Sequence, residues 1–238
     1  MLASNYIRRK FFEKSIVLLF GFAFSLGIFF VIAHQVVNHK EAWFDNHAFD
    51  FFHSLFNQQL IGLFVVFTFF GSGNFLFPAY AILVVFYLFQ KRRREAIATA
   101  ILGLSGYFIV YLLKLCFGRA RPSDPLLTAL ENNSFPSGHA LGSLFFFSAL
   151  IWIVVHSSAS LWAKRLFSAF FILLILLIGM SRIVLRYHYA SDVLGGFSLG
   201  MAMLILFYFI FGRTRNSAAL NSGPAHNENG LPLNPINS

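Results

Sequence analysis

Charge is what this 238-residue chain has least of: Asp, Glu, Lys and Arg together make up 11% of it, where a soluble domain carries about 25%. That shortage excludes an ordinary water-exposed surface and points to a protein built for lipid. Acidic residues are the scarcer sign, nine against eighteen Lys and Arg. Neither His39 nor His47 belongs to a carboxylate–histidine array of the kind that holds zinc or magnesium, so no metal and no cofactor are expected. Cysteine occurs once, at Cys116, which excludes an intramolecular disulfide and reads as a packing residue in a helix.

What the chain has is apolar length. Hydrophobic residues make up 58% of it, with thirty-three phenylalanines. The runs predict an all-α integral membrane bundle of six transmembrane helices, with one further helix lying at the interface. The first span covers 15–37, too long for a signal-peptide core. Residues 41–58 differ: Phe44, Ala48, Phe51 and Leu55 recur at helical spacing, opposite Asn46, Asp50, His53 and Asn57. That pattern predicts an amphipathic helix lying on the membrane. The apolar region 60–90 is interrupted by Gly71-Ser72-Gly73-Asn74 and exceeds one untilted span. It predicts a re-entrant or surface piece, then a crossing over 75–90 with Pro78 in its first turn. Further spans are expected over 97–117, 140–156, 166–181 and 192–211. The organisation is thus an anchor and interfacial helix over 1–58, a core over 59–212, and a disordered cytoplasmic tail over 213–238.

The net charge of +9 does not describe a nucleic-acid partner, because the basic residues form no stripe. Twelve of the eighteen fall in four clusters beside apolar runs: Arg8, Arg9, Lys10, Lys14; Lys91 to Arg94; Lys164, Arg165; and Arg213, Arg215. With both termini cytoplasmic, six crossings put all four clusters on the cytoplasmic side. Lys40, Lys114, Arg119, Arg121, Arg182 and Arg186 then fall on the other face.

Three patches meet on that face. Lys114 is followed by Arg121-Pro122; Pro136-Ser137-Gly138-His139 precedes the fourth span; Ser181-Arg182 leads to His188 and Asp192. Ionisable groups are expensive near a bilayer and point to function there. In helical geometry His188 and Asp192, four apart, would share a face, so the carboxylate would fix the imidazole tautomer. Taken alone, the pair also fits a helix cap with Asp192 as N-cap. Ser137 and Gly138 would open a helix whose amides bind an anion, although the tetrapeptide alone equally fits an ordinary capped helix with an interfacial histidine. His139 would protonate a leaving oxygen. Lys114, Arg121 and Arg182 would supply fixed positive charge for a phosphoryl group; each taken alone also fits an interfacial anchor that snorkels to the headgroups. Arg119 and Arg186 remain open between phosphate contact, headgroup contact and lipid anchoring.

Lys114-x6-Arg121-Pro122, Pro136-Ser137-Gly138-His139 and Ser181-Arg182-x5-His188-x3-Asp192 resemble the three-part signature of the type-2 phosphatidic acid phosphatase family. The resemblance covers about residues 60–210. It implies a metal-independent membrane phosphatase of six helices in which His188 becomes transiently phosphorylated. It also implies that Asp192 orients His188, that His139 is the general acid, and that Lys114, Arg121, Arg182, Ser137 and the Gly138 amide hold phosphoryl oxygens. The partners expected are the bilayer and a phosphorylated lipid. Undecaprenyl pyrophosphate is favoured by an outward-facing site, with phosphatidylglycerophosphate, phosphatidic acid, lipid A phosphates or transfer to a second lipid as alternatives. The short stretch between Pro122 and Pro136 leaves no domain to capture a large soluble ligand. The 41–58 segment would floor a lateral lipid entrance or serve as a plain anchor.

Overall fold

A computed structural model describes residues 2–56, 58–128 and 130–212, with side chains described from Ser15 to Phe211 apart from positions 57, 58 and 129. The expected tail, including Arg213 and Arg215, lies outside the described residues, as does Asn57. The described chain is helical: α1 (Leu2–Val37), α2 (Ala42–Leu55), a single 3-10 turn (Gln58–Leu60), α3 (Ile61–Phe69), α4 (Gly73–Phe89), α5 (Arg93–Phe117), α6 (Gly138–Val155), α7 (Leu161–Val184) and α8 (Ala190–Phe207), which runs on into a wider turn to Gly212. Among the described residues six stretches are long and apolar enough to cross a membrane, including Ser15–Val37 and Ile61–Phe89. The chain is a multi-pass membrane protein.

Local chemistry sets the boundaries. Ser72, Ser137 and Ser160 are N-caps whose hydroxyls accept from the amides of Phe75, Ala140 and Ala163. Gly118 closes α5 at φ 58°, where its amide donates to the Lys114 carbonyl; a left-handed residue there suits glycine. Because the Ser72 cap starts α4 at Gly73, Pro78 falls in the second turn, later than the pattern of apolar residues suggested.

The 60–90 region is neither re-entrant nor a surface piece. Phe64 packs with Leu185 and Tyr187, Thr68 meets Arg182, and Gly71 meets Ile178, so α3 runs antiparallel to α7. Leu76 then meets Gly142, and Tyr80 meets Phe146, so α4 runs parallel to α6. Both helices therefore travel the same way, as one crossing broken at residues 70–72. The extra length that looked like a re-entrant piece is a bend that brings Thr68 and Gly71 to the site.

The core is organised around α6. One cluster joins Leu76, Leu83, Leu144, Phe146, Phe147, Leu174 and Ile178 from α4, α6 and α7. A second joins Phe29, Leu102, Val110, Leu141, Phe145 and Leu199 from α1, α5, α6 and α8. Glycine lets the helices approach: Phe145 rests on Gly106 and Leu144 on Gly200, the small-residue packing that membrane helices use where apolar burial gives no drive. Large apolar side chains of α1, α5 and α7, such as Phe20, Phe108 and Phe167, face outward where lipid would lie.

The 41–58 helix exists as α2, with a different face turned inward. Asp45, Ala48, Phe49 and Phe52 pack toward α7 and α8. Trp43, Phe44, Phe51 and Leu55 are exposed.

Candidate active site

The three patches converge at one end of the bundle. Lys114 comes from the last turn of α5, Arg121 from the loop after it, Ser137 and His139 from the start of α6, Arg182 from the last turn of α7, and Asp192 from the first turn of α8. His188 lies in the short α7–α8 loop.

The His188–Asp192 pair forms by a route other than shared helical geometry. His188 precedes α8, Tyr189 is the N-cap, and Asp192 at the third helical position reaches back. Its Oδ2 accepts the Tyr189 amide at 3.0 Å and lies 3.2 Å from His188 Nδ1. Asp192 is thus not the N-cap. The Ser134 hydroxyl donates to the same Oδ2 and sits 3.3 Å from His188 Nδ1. Asp192 and His188 are almost wholly buried. A carboxylate at Nδ1 favours a proton on that nitrogen and leaves Nε2 with its lone pair.

Nε2 faces cations. Arg121 Nη1 lies 3.3 Å from it, while the same guanidinium donates to the Tyr187 carbonyl and to Asn132. Arg182 donates to Thr68 Oγ1 at 2.6 Å and stacks on the Tyr187 ring. Its Nε is buried with no hydrogen-bond partner among the described residues. Lys114 donates to the carbonyls of Asn133 and Ser134. Burial holds the His188 imidazole well below its usual pKa of 6.5, and Arg182, Arg121, Lys114 and Arg119 push the same way. His139 shares this field: its electrostatic neighbours are Arg182, His188, Arg121 and Lys114. The His139 ring packs against Gly71, where a Cβ would sit 3.0 Å from its Cδ2.

Ser137 joins the two ends of the site: its amide donates to the Asp192 carbonyl at 3.0 Å while its side chain caps α6. Gly138 opens that helix, so its amide lies in the first turn, where no intrahelical acceptor exists.

Arg119 and Arg186, left open by sequence, now separate. Arg119 donates to Asp192 Oδ1 at 2.5 Å, to Asp45 at 2.7 Å and to Glu41 at 2.9 Å. Burial works against its charge, yet Asp192 and Asp45 outweigh that and raise its pKa. Both terminal nitrogens of Arg119 are thus committed to carboxylates of the protein itself. Arg186, at φ 54°, lies over the Phe49 ring and 3.9 Å from Asp124, pinning the α7–α8 loop.

Residues 94–216, just over half of the chain, match the sequence model of the PAP2 superfamily. The chain belongs to the PAP2 superfamily. This PAP2 protein is 27% identical over 157 residues to phosphatidylglycerophosphatase B of Bacillus subtilis (strain 168), covering 66% of this chain and 74% of that protein. It is 34% identical over 139 residues to undecaprenyl-diphosphatase BcrC of the same organism, covering 55% of this chain and 66% of that protein. Its fold resembles the crystal structure of a transmembrane PAP2-type phosphatidylglycerolphosphate phosphatase from Bacillus subtilis, at TM-score 0.71 and 23% identity, over 83% of this chain and 97% of that one. Aquifex aeolicus LpxE aligns at TM-score 0.52 and 27% identity, over 67% of this chain and 93% of that one.

Sequence reasoning missed Ser134, Asp45, Glu41, Ser191 and Thr68. One signal was available for Asp45: with Glu41, the residue that precedes α2, it forms an acidic pair four residues apart. A carboxylate carried into a protein core calls for a cation partner.

Proposed function

We propose that this PAP2 protein is a lipid phosphatase or pyrophosphatase working at the non-cytoplasmic face through a phosphohistidine on His188. The observation that carries the reading is the two-sided setting of His188, with Asp192 at Nδ1 and Arg121 at Nε2, in the field of Lys114 and Arg182. The neutral Nε2 attacks phosphorus, and the bond from phosphorus to the leaving oxygen breaks as His139 gives that oxygen its proton. Charge spreading over the equatorial oxygens is met by Lys114, Arg121 and Arg182, including the unpartnered Arg182 Nε, and by Ser137 and the Gly138 amide. Water, losing a proton to His139, then attacks phosphorus; the phosphorus–nitrogen bond breaks and phosphate leaves. No step needs a metal.

The surroundings favour a lipid. Leu126, Leu127 and Leu130 are exposed on the loop between α5 and α6, which is tied to the site by the Leu126 amide donating to the Leu185 carbonyl. Trp43 and Phe44 of α2 are exposed as well. Such a rim suits an interfacial helix and loop resting in the headgroup region while the substrate's tails stay in the bilayer. Undecaprenyl pyrophosphate is the favoured substrate, in keeping with the 34% identity to the undecaprenyl-diphosphatase. Phosphatidylglycerophosphate and phosphatidic acid follow.

The test is phosphate release by detergent-purified protein against micelles of these three lipids. Wild type should release phosphate from at least one, and His188→Ala should abolish it. Retention above ~1% of wild-type turnover would refute the nucleophile assignment, because losing such a group removes several powers of ten.

A further inference from the structure

We propose that Asp45 and Arg119 are positioning residues that hold Asp192 against His188, making α2 part of the turnover machinery. The inference rests on His188 as the nucleophile and adds a chain of contacts outside the three signature patches.

Asp192 uses one oxygen for the site. Oδ2 takes the Tyr189 amide, the Ser134 hydroxyl and His188 Nδ1. Those contacts alone would let the carboxylate pivot about Oδ2. Arg119 Nη1 closes that freedom by donating to Oδ1 at 2.5 Å and to Ser191 Oγ at 2.8 Å. Arg119 is itself fixed from three directions: Asp45 at 2.7 Å, Glu41 at 2.9 Å, and the Tyr189 ring beneath its guanidinium at 4.1 Å.

Asp45 is the far anchor. It is 1% exposed and accepts the Ser191 amide at 2.9 Å and the Ser191 hydroxyl at 2.7 Å in addition to Arg119. The Ser191 amide belongs to the first turn of α8, where helical amides have no acceptor of their own. A carboxylate from α2 therefore satisfies the start of α8, favourably placed for the helix dipole, and the same carboxylate aligns the guanidinium that aligns Asp192. Electrostatically the unit sets Glu41, Asp45 and Asp192 around the single Arg119 on the Nδ1 side, while Arg121 stands 3.3 Å from Nε2. That gradient polarises the imidazole toward a proton on Nδ1 and a lone pair on Nε2.

The experiment uses full-length protein in detergent, with undecaprenyl pyrophosphate and phosphatidic acid micelles as probes. Asp45→Asn and Arg119→Gln should lower kcat about 10- to 100-fold, the range of an orienting hydrogen bond between charged groups. KM should stay within about twofold, since ground-state binding is left intact. Asp45→Glu, which keeps the charge, should recover part of the loss. Ser191→Ala removes one hydroxyl contact and serves if Asp45→Asn does not fold; it should also lower kcat. A folded Asp45→Asn with wild-type kcat, or with raised KM and unchanged kcat, overturns the inference. So does failure of both Asp45→Asn and Ser191→Ala to fold, which would make the unit purely structural. If His188→Ala is inactive while Asp45→Asn is normal, only this inference falls; if His188→Ala is active, the underlying reading falls with it.

Discussion

A single methyl group added at Gly196 should disconnect the two halves of the site. Gly196 lies in α8 one turn beyond Asp192, and a Cβ there would stand 2.6 Å from the Ser137 carbonyl oxygen and 3.1 Å from Ala140 Cβ. Ordinary contact begins at 3.4 Å, so α6 and α8 must separate by about 0.8 Å. The obstacle is backbone and cannot rotate away. That carbonyl also accepts the Leu141 amide, and the Ser137 amide is bound to the Asp192 carbonyl. The displaced pieces are thus the Ser137–His139 segment and the Asp192–His188 pair. Overpacking of this kind costs about 1–3 kcal/mol of stability. A misplacement near 1 Å costs roughly 100-fold in rate, about 2.7 kcal/mol in activation free energy. The assay is phosphate release with a thermal melt on the same sample. Gly27→Ala is the control, since nothing lies within 4 Å of its Cβ; its turnover should match wild type. A Gly196→Ala protein with wild-type kcat would refute the view that direct α6–α8 contact sets the catalytic geometry.

Other outcomes follow from the same site. Native His188 stays neutral well below 6.5 whereas the unfolded chain binds a proton near that value. Acidification through about pH 6.5 therefore favours unfolding, and stability present above that pH is lost on descent toward the native value. The acid limb of kcat/KM should likewise fall below pH 6.5; profiles and melts from about pH 8 to about pH 4 check both, and a limb at or above 6.5 would contradict the His188 environment. Phosphate release should persist in EDTA and be inhibited by vanadate; loss of turnover on chelation, restored by added metal, would overturn the metal-free route. A reporter fused after Arg215 should stay cytoplasmic, and finding it outside would invert the proposed topology.

Much was legible in the chain. Helix positions follow from apolar run length, and their ends from Ser72, Ser137, Ser160 and Gly118, because caps and αL residues act within a few positions of themselves. The signature residues were readable because few residue types can perform phosphoryl transfer and their spacing reflects helix ends. Less local features were hidden. The amphipathic pattern of α2 located the helix but not its inward side: the Glu41 and Asp45 pair calls for a cation but does not say which, and Arg119 lies seventy-four positions after Asp45.

Composition and order alone therefore determined that this chain carries six helices long and apolar enough to cross a membrane, belongs with the PAP2 proteins, and gathers its ionisable residues into three patches at helix ends. Tertiary structure decided how they are held: that Asp192 reaches back from the first turn of α8, that Thr68 and Gly71 arrive through a broken helix, and that Arg119 pairs with the carboxylates of Glu41, Asp45 and Asp192. The physical reason is range. Caps and periodicity act over one or two turns of chain, whereas a buried charge takes whichever partner packing brings to it, and no spacing rule records that choice.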